Sequence, residues 1–552
     1  MKARFLLIIS WVILVLWPLL LAWNQLDSVS ERSIFDTISG FNEKFQTKNA
    51  LSYTFLVAIV STIFTLFIGL PLAWNLGRYN WKYHNLLRSI FTVPFVMPTI
   101  LVAMGFLSLL DWASILSGNN TSERARFYTL IFAHAWFNLA LLIRFCEPLL
   151  STIDSSYEEA CRLLPSGNTQ FRRFRNFWIP IMWPNIAASS ALVFVFSFTS
   201  FALVKFITPS RRNLEVVMAN QSEWAGLPVP SLSRAPSEIV LASSTVQLIT
   251  ILLALLISSW LQSKSSGHHL SSLKHRRKSV SFKSIRGLYL IIMIVFIISP
   301  MASLVTSSFM IRENTSMVFS LQGWESAFGG SHSPTNAYES LISSIFYALM
   351  TIMLSLPIGF FLADTIFNLE KTNPKFATIL DVFVMLPLAL SAVMVGLGVL
   401  LGLLRTEPEI ARSWWIPLYG HLMLTTPFVV RVLLPAMRNL NPHLEEAAAL
   451  LGASYIRRLL FIRLSLLKPS IIVSSSLVFA ISLGEFGASW VVLRFTEYTT
   501  LPVMIGDLLS RPGYDPILRP AANAAGTILL LITLTLFISV ERFRPIGSGG
   551  EF

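Results

Sequence analysis

The stretch Glu445-Glu446-Ala447-Ala448-Ala449-Leu450-Leu451-Gly452, with Ile462 and Leu464 further on, has a counterpart about 285 residues earlier. That counterpart reads Glu158-Glu159-Ala160-Cys161, then Gly167, then Phe177, Ile179 and Pro180. Each copy lies on a basic loop between two long apolar runs. The correspondence extends outward: at an offset of 287, His134 pairs with His421, Arg144 with Arg431 and Pro148 with Pro435. Apolar drift alone would not align a His, an Arg and two Glu, so the chain is an internal duplication. Pro165 and Ser166 are two extra residues in the first copy. Past them the offset is 285, matching Gly167 with Gly452, Arg172-Arg173 with Arg457-Arg458, Pro184 with Pro469 and Leu192-Val193-Phe194 with Leu477-Val478-Phe479. Upstream, Ile68-Gly69 pairs with Ile358-Gly359 and Pro94 with Pro387.

A chain of 552 residues that is 54% hydrophobic and 13% charged, with a mean hydropathy of +0.64, has more apolar surface than one water-soluble core can bury. Lipid must cover the rest. Runs long enough to span a hydrocarbon core lie near 5–23, 51–76, 89–110, 127–150, 184–208, 239–262, 286–307, 340–363, 378–404, 415–434, 470–494 and 522–540. The expected fold is therefore an all-α integral membrane protein of about twelve transmembrane helices, arranged as two parallel six-helix repeats. Pro and Gly within 89–110 and 378–404 predict kinks or breaks there. The runs at 5–23 and 286–307 precede the matched regions and read as one packing helix added to a five-helix core in each half. Leu21-Ala22-Trp23-Asn24 offers no small-x-small cleavage site, so the first run reads as a retained anchor.

Loop charge sets the expected orientation. Lys2 and Arg4 precede the first span, Arg78, Lys82 and Arg88 follow the second, and Arg172, Arg173 and Arg175 follow the fourth. The linker at 263–285 carries Lys264, Lys274, Arg276, Arg277, Lys278 and Lys283 without an acid, and Arg542 and Arg544 follow the last span. All of these are assigned to the cytoplasm, with both termini. The formal net charge of +13 is then a topology signal, and binding to nucleic acid is not needed to account for it. Cys146 and Cys161 fall near the cytoplasmic face, where thiols stay reduced.

The paired loops resemble the EAA loop of the permease subunits of ATP-binding-cassette (ABC) importers: Glu-Ala-Ala, three residues, Gly, nine residues, Ile-x-Leu-Pro. Ser465 departs from it where the proline is expected, and the first copy keeps Pro180 but carries the inserted Pro165-Ser166. The resemblance covers about 51–258 and 337–540 and is to type I importer permeases. Fusion of two halves in one chain, with Ser482-Leu483-Gly484-Glu485-Phe486-Gly487 and Thr499-Thr500-Leu501-Pro502-Val503, is similar to the iron(III) and thiamine branch. The Gly-Glu-Phe-Gly string also resembles molybdate and sulfate permeases.

The resemblance implies a first transmembrane helix and external loop over 1–50, permease domains over 51–262 and 337–540, and the basic linker over 263–285. It further implies a seventh helix and external loop over 286–336 and a tail over 541–552. It implies two copies of a separate ATPase that hold ATP and Mg, and an extracytoplasmic solute-binding protein. Glu158, Glu159, Ala160, Gly167, Glu445, Glu446, Ala447 and Gly452 would form the coupling loops. The solute would be iron(III) or else thiamine, with molybdate, sulfate or polyamine as alternatives. The chain has no Gly-Lys dipeptide, which excludes a phosphate loop of the Gly-x-x-x-x-Gly-Lys-Ser/Thr type.

A major-facilitator carrier is the alternative, since its halves are also parallel repeats. Its usual acid-bearing loop after the second span is replaced here by Gly77-Arg78-Tyr79-Asn80-Trp81-Lys82. Glu485 lies inside a span where Ser200 holds the equivalent place. Both are pathway candidates, and a structural carboxylate hydrogen-bonded to backbone near Gly484 and Gly487 is the rival reading for Glu485. His134 and His421 lack neighbouring ligands at metal spacing and read as hydrogen-bonding groups. No catalytic residue, metal site or cofactor motif is expected in this chain.

Overall fold

The computed structural model describes residues 2–42, 47–117, 121–153, 155–165, 168–225, 234–265, 278–313, 316–330, 333, 335–404, 410, 413–454, 457–493, 498–511 and 515–541. Ser166 and Gly167, linker residues Lys274, Arg276 and Arg277, and the tail with Arg542 and Arg544 lie outside them. Eleven described helices are long and apolar enough to cross a membrane, and the bent pair Pro374–Pro387 and Ala392–Leu403, meeting at 83°, makes the twelfth when taken as one span. In lipid, helices are the form in which such runs satisfy their own backbone.

The expected breaks fall at Pro94 and Pro387. Helix His84–Val96 ends with the Met97 N–H on the Pro94 carbonyl at 3.3 Å, and Pro374–Ala389 ends with the Leu390 N–H on the Pro387 carbonyl at 3.2 Å. The chain resumes as Thr99–Ser117 and as Ala392–Leu397, the second capped by Ser391 Oγ accepting from Met394 N at 3.1 Å. The fifth and eleventh spans start earlier than the apolar runs: described helix covers Gln170–Phe198 and Arg458–Leu483, because the basic segments continue into the membrane through wide π-type turns at Phe174–Trp178 and Arg458–Arg463. Among the described residues the strands are two short pairs. Tyr79–Asn80 runs parallel to Lys278–Ser279, and Met310–Glu313 is antiparallel to Ser316–Phe319, with Ile311 opposite Val318.

The chain forms two compact units. One comprises 39–217 and 245–319, the other 1–38, 218–244 and 320–552. In the first, helix Ala50–Arg78 packs on Glu123–Thr152, and a Cβ added at Gly69 would lie 2.7 Å from Leu142 Cδ2. In the second, Ala337–Thr372 packs on Ile416–Arg438, and a Cβ at Gly359 would lie 2.6 Å from Val429 Cβ. Val429 is the repeat counterpart of Leu142, so one close helix crossing is built twice. The added helices exchange places. Ile285–Ser307 belongs to the unit of the first core: Trp136 Nε1 donates to the Ile297 carbonyl at 3.1 Å and Trp112 Nε1 to Ser307 Oγ at 3.1 Å. Lys2–Val29 belongs to the unit of the second core, where its Pro18 carbonyl lies against Gly402.

Candidate functional site

The two loop helices, Ser155–Leu163 and Pro442–Leu450, begin and end at repeat-equivalent residues. Asn441 Oδ1 starts the second by accepting from His443 N at 3.1 Å, with Pro442 in the first helical position. Its end is a Schellman turn: Ala453 N donates to the Ala448 carbonyl at 2.9 Å, and Gly452 N to the Ala449 carbonyl at 3.0 Å. Gly452 takes φ +81° there, with nothing within 4 Å of a would-be Cβ, so the backbone conformation alone demands glycine. After each loop a hydroxyl caps the next helix. Thr169 Oγ1 accepts from Arg172 N at 3.3 Å, and its counterpart Ser454 Oγ from Arg457 N at 3.4 Å.

The first glutamate of each loop is held by arginine from within its own unit. Arg78 Nη2 donates to Glu158 Oε2 at 2.9 Å, Arg162 Nη2 to Glu158 Oε1 at 3.1 Å, and Arg173 Nε stands 4.0 Å away. Arg78 also donates to the Ile153 carbonyl at 2.8 Å and lies over the Trp178 ring at 4.6 Å. In the other unit Arg463 grips Glu445 with both arms of its fork, Nε to Oε1 at 2.6 Å and Nη2 to Oε2 at 2.7 Å, and pairs with the buried Asp364 through Nη1. Desolvation works to raise the Glu158 carboxyl, but the hydrogen bonds from Arg162 and Arg78 outweigh it and hold it below the ordinary glutamate range. Hydrogen bonding from Arg463 does the same for Glu445 against partial desolvation, with Arg458 and Lys371 adding to the attraction.

Glu159, Ala160, Glu446 and Ala447 are exposed. So are Leu163 (88%) and Leu450 (90%), each at the end of its loop helix, and the following Leu164 and Leu451. Sequence reasoning found the loops but missed Arg78, Asp364 and Arg463 as the groups that fix them. The signal was present at matched positions: Trp74 and Trp178 of the first half fall opposite Asp364 and Arg463 of the second.

Glu485 is 6% exposed and sits at the start of the short helix Gly487–Val492. Its Oε1 accepts from Ala488 N at 2.7 Å, and its Oε2 from Ser489 N at 2.8 Å and from the Ser489 hydroxyl. His421 reaches Ser482 Oγ through Nδ1 at 2.6 Å and Ser489 Oγ through Nε2 at 3.0 Å, with Nε2 3.7 Å from Glu485 Oε2. In the first half His134 Nδ1 meets Ser61 Oγ at 3.0 Å. Ser200 there is bridged through its backbone: Asn213 Nδ2 donates to the Ser200 carbonyl at 2.7 Å while Asn213 Oδ1 accepts from Val216 N at 3.0 Å. A similar contact occurs in both halves, Leu214 N to Thr54 Oγ1 at 3.0 Å and Leu501 N to Ser344 Oγ at 2.7 Å.

The chain is a helical multi-pass membrane protein built from two parallel repeats, each presenting one short helix on a basic loop. Residues 65–266 match the family described as binding-protein-dependent transport system inner membrane component. A putative 2-aminoethylphosphonate transport system permease protein of Salmonella typhi is 30% identical over 255 residues, covering 46% of this chain and 91% of that protein. Two relatives run nearly end to end. A probable ABC transporter permease protein of Sinorhizobium fredii is 21% identical over 97% of this chain and 95% of its own length. The thiamine transport system permease protein of Haemophilus influenzae is 22% identical over 90% of this chain and 89% of its own. The chain belongs to the family of binding-protein-dependent transport system inner membrane components, as a permease subunit of an ABC importer of type I.

Proposed function

We propose that this permease spans the bacterial cytoplasmic membrane with its termini, the 263–285 linker and both loops on the cytoplasmic side, and that each loop docks one copy of a separate ATPase. Two copies are engaged, and ATP and Mg are held there. An extracytoplasmic binding protein delivers the solute. The observation that carries this reading is the pair of exposed leucine steps, Leu163-Leu164 and Leu450-Leu451, at equivalent ends of the two loop helices. Large apolar side chains next to exposed Glu159 and Glu446 on basic loops fit a partner's socket better than open water. Gly452→Val tests it, since a β-branched residue in the left-handed region costs about 1–2 kcal/mol locally. The expected outcome is ATPase lost from the purified permease at a normal membrane level of the chain; full retention of ATPase and transport would sink the docking reading. Gly167→Val is expected to be milder, because the first loop carries the two inserted residues Pro165-Ser166 before its Gly.

For the solute, the relative named for thiamine transport spans both halves, which favours thiamine. The relative named for 2-aminoethylphosphonate transport has the higher identity but matches half the chain, which makes that phosphonate the competing reading. Iron(III) rests on the sequence resemblance. Uptake of labelled thiamine and of labelled 2-aminoethylphosphonate by cells with and without this permease separates them. Glu485 and Ser200 remain the pathway candidates of the sequence. What supports the structural alternative for Glu485 is that both of its oxygens are taken by the helix it caps.

A further inference from the structure

We infer that Glu158 and Glu445 are positioning residues that tie the loop helices to the membrane-spanning core, leaving Glu159 and Glu446 for the partner. This rests on the docking reading of the loops. The two adjacent glutamates of each loop have different surroundings: the first is half-buried on guanidinium groups of its own unit, the second is exposed. Glu446 meets His443 of its own helix at 3.1 Å, a solvent-facing contact that leaves the carboxylate accessible.

The two halves reach the same end by different means. In the first, the cation comes from Arg78, the last residue of helix Ala50–Arg78, and its guanidinium also satisfies the Ile153 carbonyl beyond helix Glu123–Thr152. Behind it Trp74 and Trp178 pack edge to face with ring centroids 4.8 Å apart. In the second, those two aromatic positions are Asp364 and Arg463, and the equivalent of Arg78 is Asn368, whose Nδ2 donates to Asp364 Oδ1 at 3.0 Å. Both partners of the ring pair differ between the halves, and the source of the guanidinium differs with them. The guanidinium on the first glutamate is kept. Two distinct constructions converging on one contact point to a requirement for that contact. It links a loop helix to the end of a long span in each unit, Ala50–Arg78 in one and Ala337–Thr372, through Asp364, in the other. A push delivered to the loop helix by the ATPase is thereby carried into the membrane.

The test uses the full permease with its ATPase, reconstituted in lipid, and four single variants: Glu158→Gln, Glu445→Gln, Glu159→Gln and Glu446→Gln. Three quantities are read: ATPase retained per permease, stimulation of ATP hydrolysis by the permease, and the spin-label distance distribution between Leu444→Cys and Thr372→Cys in a background lacking Cys146 and Cys161. Glu445→Gln and Glu158→Gln should keep the ATPase bound yet lower stimulation about tenfold, within the usual range of coupling energies. Glu445→Gln should also broaden the distance distribution. Glu159→Gln and Glu446→Gln should release the ATPase and leave the distribution narrow. If they and Gly452→Val all keep the ATPase, the docking reading fails, while the distance measurement still decides the tie.

A transplant guards against general damage from a buried unpaired charge. Asp364→Trp/Arg463→Trp installs the first half's ring pair without a guanidinium and should uncouple. Adding Asn368→Arg should restore stimulation and the narrow distribution. A triple variant that inserts and binds ATPase yet stays as uncoupled and broad as the double overturns the proposal. So does release of ATPase by Glu445→Gln and Glu158→Gln to the extent seen with Glu446→Gln and Glu159→Gln.

Discussion

In the first half one carboxylate, Glu158, lies among Arg78, Arg162 and Arg173, whereas in the second one guanidinium, Arg463, lies between two carboxylates, Glu445 and Asp364. The direct ion pairs are therefore built around one carboxylate in the first half and around one guanidinium in the second, where Arg458 and Lys371 also attract Glu445. Removing one cation should consequently be tolerated differently. Arg463→Met leaves Asp364, whose side chain is 3% exposed, with the Asn368 amide but without the Arg463 guanidinium, and should destabilise the permease by about 3 kcal/mol, the low end for a broken buried pair. Arg78→Met leaves Glu158 with two guanidinium groups nearby and should cost about 1 kcal/mol. Thermal unfolding midpoints in detergent measure both, and equal or reversed losses would break the comparison.

The two halves also differ at the interruption after the fifth and eleventh spans. Glu485 supplies a charged cap to Gly487–Val492, and Asn213 supplies a neutral bridge between the Ser200 carbonyl and Val216 N. Glu485→Gln keeps the shape but removes one acceptor oxygen, which leaves a buried N–H without its partner and should cost about 2 kcal/mol. Asn213→Ala should cost a similar amount, because it too orphans a buried donor and acceptor. If Glu485→Gln instead abolishes uptake at unchanged stability and basal ATP hydrolysis, the carboxylate belongs to the solute pathway.

How much of this was legible follows from which constraints lipid imposes. A bilayer demands long uninterrupted apolar helices, so the span positions, the parallel duplication and the breaks at Pro94 and Pro387 could be read from residues alone. An apolar helix does not announce its neighbour. Hence the exchange of Lys2–Val29 and Ile285–Ser307 between cores left no mark that composition could show. Helices Leu214–Ala225 and Leu501–Ser510 are too short to register as spans. Arg463 and Asp364 are 99 residues apart, and only the Trp-for-charge difference at matched positions hinted that they meet.

Where the halves agree, variants should agree. Gly69 and Gly359 occupy one repeat position, with a would-be Cβ 2.7 Å from Leu142 and 2.6 Å from Val429 respectively. Valine at either forces the helix pair apart and should cost about 1.5 kcal/mol, as moderate overpacking does. Unfolding midpoints of the two variants should fall within about 2 °C of each other, given how midpoints scale with free energy in proteins of this size. A clear difference would mean that the two crossings, alike in sequence and spacing, carry unequal load.

The smallest expected effect lies in acid. Both Glu158 and Glu445 titrate below the ordinary glutamate range in the folded chain, so the unfolded chain takes up their protons at higher pH than the folded one does. The sign follows from linkage: their contribution is complete above the unfolded value of about 4.3 and is lost as pH falls through the depressed folded values. The side chains are 21% and 30% exposed, so solvent screens the pairs and each should contribute under about 1 kcal/mol. The unfolding midpoint should therefore decline as pH falls below about 4.3, and Glu158→Gln/Glu445→Gln should flatten part of that decline while lowering stability near neutrality. Each single variant should remove its own share, because the two carboxylates belong to separate ion-pair clusters that share no described partner. An acid limb of unchanged depth in the double variant would locate the responsible carboxylates outside the loops, and the different ion-pair arrangements of the two halves would then have no bearing on how firmly the loop helices are held.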